Sequence, residues 1–277
     1  MRVGIGLPTT LAGVPGEMVI EWARRAEDAG FSSLGVLDRL LYDSYEPFVA
    51  LSAAAAATQD IRLVTMIAIG PLRNTALLAK QAASLHRLSG GRLTLGLAVG
   101  ARRDDYEGAG VEYRTRGQVL TEQVYALPEQ WAKGEIGPRL DDRPDILVGG
   151  SSAVAFERAA RFGDGYVHGG GPPRAFGSAA AKAVAAWSEL GRPGRPKLWG
   201  QGYFGLGGEA EKGAGYLRDY YSFTGPFAER IVEENLTTPQ KVVQFVRGYR
   251  EEGCDELVLL PTVADLAQID LLAEALS

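Results

Sequence analysis

Residues 61–100 constrain the fold of this chain more than any other stretch. From Ile61 to Ile69 (IRLVTMIAI) nearly every position is β-branched or apolar, as a parallel strand covered on both faces must be. Gly70 and Pro71 stop the run, and Asn74 stands where a helix N-cap belongs. Leu78, Ala82 and Leu85 then follow at i, i+4 and i+7, with Lys80, Ser84 and Arg87 at the same spacing on the polar side. Ser89, Gly90 and Gly91 end that helix, and Arg92 to Val99 (RLTLGLAV) supplies a second buried strand. Strand, helix and strand make a βαβ unit, whose crossover is right-handed in nearly all cases.

The same alternation runs through the rest of the chain. Val3, Ile5 and Leu7 alternate with Gly4 and Gly6, a first strand whose glycine face admits a ligand or a neighbouring layer. A helix from Glu17 to Ala29 ends at Gly30, and a strand from Ser33 to Leu37 leads into Asp38 and Arg39. The next helix is Pro47 to Thr58. After Val99 comes a charged loop, Gly100 to Glu107, then a helix from Thr115 to Lys133 that Pro128 should kink or split. Four further strands are expected at Asp145–Val148, Tyr166–His168, Lys197–Gly205 and Asp255–Leu260. Helices at Ala153–Phe162, Ala175–Leu190, Pro239–Glu252 (N-capped by Thr238) and Ala264–Leu276 follow them. A helical excursion, Gly208 to Asn235, bends at Gly225 and Pro226.

Eight strands alternating with helical blocks, and no Pro/Gly/Ser linker between halves, predict a single α/β domain over 1–277. The architecture is a (β/α)8 TIM barrel with a helical insertion after the seventh strand. A doubly wound sheet is the alternative. Its glycine-rich phosphate motif should follow the first strand, and Leu7 to Thr10 offers none.

Composition narrows the function classes. A formal net charge of -5 without a basic run argues against a nucleic-acid partner. Cys254 is the only cysteine, which excludes an internal disulfide and a multi-cysteine zinc site. No apolar run reaches membrane-spanning length, and the amino end enters a strand without a signal segment, so a cytoplasmic protein is expected.

In a (β/α)8 barrel the chemistry lies at the C-terminal ends of the strands. Gly149, Gly150, Ser151 and Ser152 end the fifth strand and open a helix, the arrangement that binds an anion on free backbone amides. Gly169, Gly170 and Gly171 follow the sixth strand beside them, and paired glycine loops on late strands suit a phosphate. The plainer reading is that both are tight turns. Asp38 and Arg39 end the second strand, where Asp38 can accept from a ligand and Arg39 can stabilise an anionic ring. A solvated salt bridge is the alternative.

Arg102, Arg103, Asp104, Asp105 and Tyr106 follow the fourth strand, and only one or two of them can point inward. His86 lies on a helix far from any strand end and reads as structural, which leaves His168 as the one histidine placed for chemistry. No histidine–carboxylate cluster has metal-ligand spacing, and no serine has a nucleophile-elbow context. A cofactor is therefore expected to carry the reaction.

Several of these stretches resemble the luciferase-like monooxygenase superfamily. The resemblance rests on residues 70–81 (GPLRNTALLAKQ), 88–96 (LSGGRLTLG), 26–31 (AEDAGF), the Gly149–Gly150 pair and Gly163–Gly165, and it covers essentially the whole chain. It implies a (β/α)8 enzyme that uses reduced FMN with oxygen, or the deazaflavin coenzyme F-420 for hydride transfer. Asp38 and Arg39 match the position that contacts the deazaflavin ring. A histidine commonly follows that aspartate, so Arg39 is a departure. Ile67, Ala68 and Ile69 match a strand-three bulge that often holds a non-prolyl cis peptide against the ring. Gly149, Gly150, Ser151, Ser152, Gly169 and Gly170 match the phosphate loops.

The expected function is an F-420- or FMN-dependent oxidoreductase acting on a small organic substrate, with F-420 favoured. Substrate would stack on the ring within reach of His168, Arg102 and Tyr106, and Arg39 would stabilise charge on the reduced ring. A homodimer through the alanine-rich face of residues 47–58 is also expected. The competing readings are a non-catalytic barrel that binds flavin or another phospho-ligand, and a cofactor-free lyase or isomerase. The last lacks a convincing lysine or paired-carboxylate site at the strand ends.

Overall fold

The computed structural model of the chain describes residues 1–277. Its strands are β1 (Arg2–Gly6), β2 (Ser33–Val36), β3 (Arg62–Thr65), β4 (Ala68–Ile69), β5 (Leu93–Ala98), β6 (Asp145–Gly149), β7 (Gly165–Val167), β8 (Lys197–Phe204) and β9 (Glu256–Pro261). They pair in the order β3-β2-β1-β9-β8-β7-β6-β5-β4, and a further β3–β5 pairing closes the sheet. β3 and β4 are two halves of one barrel strand, so the nine segments form a closed eight-stranded parallel barrel, the predicted TIM architecture.

The helices are α1 (Gly16–Asp28), α2 (Pro47–Ala57), α3 (Thr75–Leu88), α4 (Arg103–Ala109), α5 (Arg116–Lys133), α6 (Ala153–Phe162), α7 (Pro173–Glu189), α8 (Ala210–Tyr220), α9 (Phe227–Glu233), α10 (Pro239–Glu251) and α11 (Ala267–Leu276). Their starts follow local chemistry. Asn74 Oδ1 accepts from the amides of Ala76 and Leu77 at 3.0 and 3.2 Å, and Thr238 Oγ1 accepts from Lys241 N at 3.2 Å.

The third barrel strand is broken where the pattern predicted a continuous run. Its peptide bond between Met66 and Ile67 is cis. Beside the break, Thr65 Oγ1 donates to Gly96 O at 2.7 Å and accepts from Gly96 N at 2.9 Å. One hydroxyl thus satisfies both backbone groups of Gly96 that the interrupted ladder leaves open. Only glycine fits there, because a Cβ on Gly96 would lie 2.2 Å from Thr65 O.

Alternation along the strands separates two cores. Leu63, Leu257 and Leu259 face the helices, whereas Val64, Met66, Val258 and Leu260 fill the lumen with Trp199 and Tyr203. Leu217 and Tyr220 of α8 join the lumen group, so α8 sits across the barrel mouth. Each fully buried side chain of this size contributes about 1.5–3 kcal/mol. The glycine face of β1 serves this packing rather than a ligand. A Cβ on Gly4 would meet Ser33 Oγ at 2.0 Å, and one on Gly6 would meet Leu260 Cδ2 at 2.5 Å.

Two other expectations need correction. Helix α5 runs unbroken through Pro128, which forgoes only its bond to the carbonyl four residues back. The charged stretch after the fourth barrel strand is not a loop but contains α4. Asp104 and Asp105 in its first turn complement the helix dipole, and Gly110 ends it with φ 66°.

Candidate active site

The larger of two adjoining compartments at the C-terminal ends of the barrel strands measures 660 Å³, the smaller 460 Å³, and Gly169 borders both. The walls of the larger include Met66 and Ile67 at the strand break, Val99 beyond β5, the loop Gly149–Ser152 beyond β6, Gly169 beyond β7, and Gln201 on β8. Residues 149–152 therefore share one wall with Gly169, whereas Gly170 and Gly171 of the second expected phosphate loop line the smaller compartment. Gly150 has φ 139°, and a Cβ there would press to 2.7 Å on Ala155, so glycine is required by both conformation and space. Ser152 caps α6, its Oγ accepting from Ala155 N at 3.2 Å. Tyr166 OH holds the loop from below by donating to Gly150 O at 2.9 Å, and burial pushes that phenol up to about 12.

Three arginines that were not singled out from the sequence complete this wall: Arg114, Arg116 and Arg158. No aspartate or glutamate lines the cavity with them. Arg158, on α6, is 5% exposed and donates only to Thr121 Oγ1 at 3.0 Å and Gly117 O at 2.9 Å. Burial lowers its pKa with no carboxylate to offset the effect. Arg116 lies 3.6 Å from the centre of the Tyr113 ring and donates to Tyr113 O at 2.8 Å, and its buried Nε has no partner. The start of α5 carries no acidic residue in its first turn. Helix dipoles disfavour cations at their N-termini, so Arg114 and Arg116 preceding and opening α5 are a signal that sequence reading could have used. Arg158 was equally detectable, since it sits on the apolar face of its helix with Ala155, Ala159 and Phe162.

Asp38 and Arg39 lie at a different corner and pair with other residues instead of each other. Both Asp38 oxygens accept from Arg73, at 2.5 and 3.1 Å, and Oδ2 also accepts from Ile69 N at 2.8 Å. Arg39 donates through Nε to Asp105 at 2.7 Å and through Nη2 to Asp104 at 3.0 Å. Asp105 is fully buried, and its other oxygen accepts from the amides of Leu40 and Leu41 at 3.0 and 2.8 Å. These bonds tie the chain after β2 to α4 and leave neither side chain facing the cavity.

Other sequence candidates disperse. Tyr106 is buried, donates to Val99 O, and has its pKa raised by burial. Arg102 donates to Tyr220 O and stacks on Phe223 and Tyr220, with its guanidinium carbon 4.2 and 4.4 Å from the ring centres. Ala68 is buried within the strand, while Ile67 reaches the cavity. His168 and Gly170 line the smaller compartment, of 460 Å³, and Gly169 borders both. His86 is buried on α3 near Asp142, as its helical position implied.

Comparison with known proteins agrees with this geometry. The family profile of luciferase-like monooxygenases matches residues 1–253. An uncharacterised protein of Mycobacterium tuberculosis is 31% identical over 213 residues, covering 62% of this chain and 72% of its own length. Among solved structures, an F-420-dependent secondary alcohol dehydrogenase in complex with an F-420–acetone adduct superposes with a TM-score of 0.85. It is 19% identical, and the match covers 99% of this chain and 97% of that one. A monooxygenase from Streptomyces bottropensis gives a TM-score of 0.80 at 21% identity, over 100% and 98% of the two chains. A profile match over residues 1–253 places the chain in the luciferase-like monooxygenase family.

Proposed function

We propose that this enzyme is an oxidoreductase that binds a flavin-type cofactor in the 660 Å³ compartment and acts on a small organic molecule beside it. One observation supports the cofactor's position: three arginines and a helix-opening glycine–serine loop face the larger compartment, which no carboxylate lines. Such a wall holds a net positive charge that an anionic ligand neutralises. Deazaflavin F-420 bears carboxylates besides its phosphate, and FMN bears a phosphate alone. Three uncompensated arginines favour F-420.

When bound, a group of this kind supplies hydride transfer or oxygen activation. The chain's own contributions are positional. Gly149 to Ser152 receive the phosphate, Arg114, Arg116 and Arg158 hold the anionic groups, and Met66 and Ile67 back the ring. A non-catalytic binding barrel is a second reading, favoured by the engagement of Arg39, Arg102 and Tyr106 in internal contacts.

Titration of the purified chain with F-420 and with FMN, followed by absorbance and fluorescence, tests the assignment. F-420 should bind more tightly. Ser152→Asp keeps a residue that caps helices well, so α6 should still form, but it places a negative charge at the phosphate. Two unit charges ~4 Å apart repel by ~4 kcal/mol at an effective dielectric of ~20, about three powers of ten in Kd. Undiminished affinity in Ser152→Asp moves the phosphate elsewhere. Binding without turnover of any alcohol or oxygen-dependent substrate supports the second reading.

A further inference from the structure

We propose that the smaller compartment, walled by His168, the Gly169–Pro172 loop and the aromatic side chains of β8, the turn after α8, α9 and α10, is a binding site for an uncharged ring compound carrying a hydroxyl group. Its 460 Å³ falls in the size range of small-molecule sites. Tyr203, Tyr221, Phe227 and Phe245 give it the flat apolar surfaces that receive a ring. One hydroxyl of the Tyr203–Tyr221 pair donates to the other at 2.7 Å, and the remaining O–H is a neutral donor that a ligand oxygen can meet. Its two charged residues, Arg230 and Glu234, are of opposite sign, whereas the larger compartment carries arginines alone. A neutral occupant fits here.

The hydroxyl follows from His168. Its Nε2 is buried without a hydrogen-bond partner. Tyr166 OH donates its proton to Gly150 O at 2.9 Å, so the 3.3 Å contact between that oxygen and His168 Nδ1 must be donated by Nδ1–H. The neutral ring then presents a bare lone pair at Nε2. Burial lowers the pKa of His168, outweighing a backbone hydrogen bond with Gly170 that raises it, and so favours the uncharged ring. A buried acceptor without a donor costs free energy that a ligand O–H recovers.

Gly169 borders both compartments, and Gln201 Nε2 donates to Gly169 O at 3.0 Å, so an occupant lies next to the cofactor compartment. That the occupant is the substrate rests on the function proposed above; that it binds does not.

Calorimetric titration of the cofactor-free chain tests the site with three probes of one shape: 2-naphthol, 2-methoxynaphthalene without the O–H, and 2-naphthoate with a charge. The expected result is that 2-naphthol binds about tenfold or more tightly than either analogue, the worth of one buried hydrogen bond. His168→Phe should abolish the preference for naphthol over its methyl ether. Ala175→Phe, at an exposed rim position, should weaken both by tenfold or more without touching the core. The proposal fails if 2-naphthol does not bind, if naphthoate binds best, if the methyl ether matches naphthol in the wild type, or if Ala175→Phe leaves affinity unchanged. A failed F-420 or FMN titration alters none of these outcomes.

Discussion

Two groups of arginines meet the mouth of this barrel, and they are treated in opposite ways. On the β2 side, Arg39 and Arg73 end on carboxylates: Asp104 and Asp105 for one, Asp38 and Glu46 for the other. On the β5–β6 side, the hydrogen bonds of Arg116 and Arg158 go only to backbone carbonyls and a hydroxyl. Burial of a charge is costly in both places. The first group offsets that cost within the chain and fastens loops together. The second leaves a positive field in a concave site, which is what an anionic ligand requires. Pairing therefore separates arginines matched by carboxylates of the chain from arginines whose charge no carboxylate offsets.

The largest expected effect tests the paired side. Asp105→Ala strips Arg39 of its buried partner and removes the acceptor of two backbone amides. Breaking a buried pair from one side costs about 3–5 kcal/mol, to be read by denaturant unfolding. A loss under ~1 kcal/mol would show that Arg39 is not structural and would return it to the list of site residues.

Next comes the unpaired side. Arg116→Gln should barely change unfolding free energy but weaken F-420 or FMN by ~10- to 100-fold, the worth of about 1.5–3 kcal/mol for a charge-assisted hydrogen bond. If stability falls while affinity holds, the contrast between the two groups collapses.

The smallest effect concerns His168, a buried base between the two regions. Its pKa is lowered from the ordinary 6.5, with desolvation as the main cause. Below that value the unfolded chain takes up a proton before the folded one does, so this residue's contribution to stability is lost as pH falls through 6.5. The slope for one proton is at most ~1.4 kcal/mol per pH unit. Urea unfolding between pH 7 and 5 should show a shallower decline in His168→Gln than in the wild type. Parallel curves would assign the decline to other groups.

Much of the fold could be read from local pattern. The eight-fold alternation, the caps at Asn74 and Thr238 and the glycine loop before α6 each depend on residues close in sequence, and each is found. Reading was less successful where a few residues had to be weighed against each other. Residues 61–69 look like one strand by pattern, because nothing in the apolar run itself marks a break; only the family resemblance pointed to a bulge at Ile67–Ile69, beside the cis bond of Met66 and Ile67. Residues 103–109 look like a loop because a helix this short has little periodicity to display.

The sequence by itself determined the barrel, the end of it that carries the loops, and the glycine–serine turn that opens α6. Those follow from hydrophobic period and turn chemistry, which act over a few residues. Which charges are spent and which are free was decided only by tertiary structure. Arg39 meets Asp105 across 66 positions, and Arg158 of α6 comes to rest on Gly117 at the start of α5, 41 positions away. An ion pair depends on distance in space, which packing sets, so an arginine's neighbours in the chain do not reveal whether its charge is already matched.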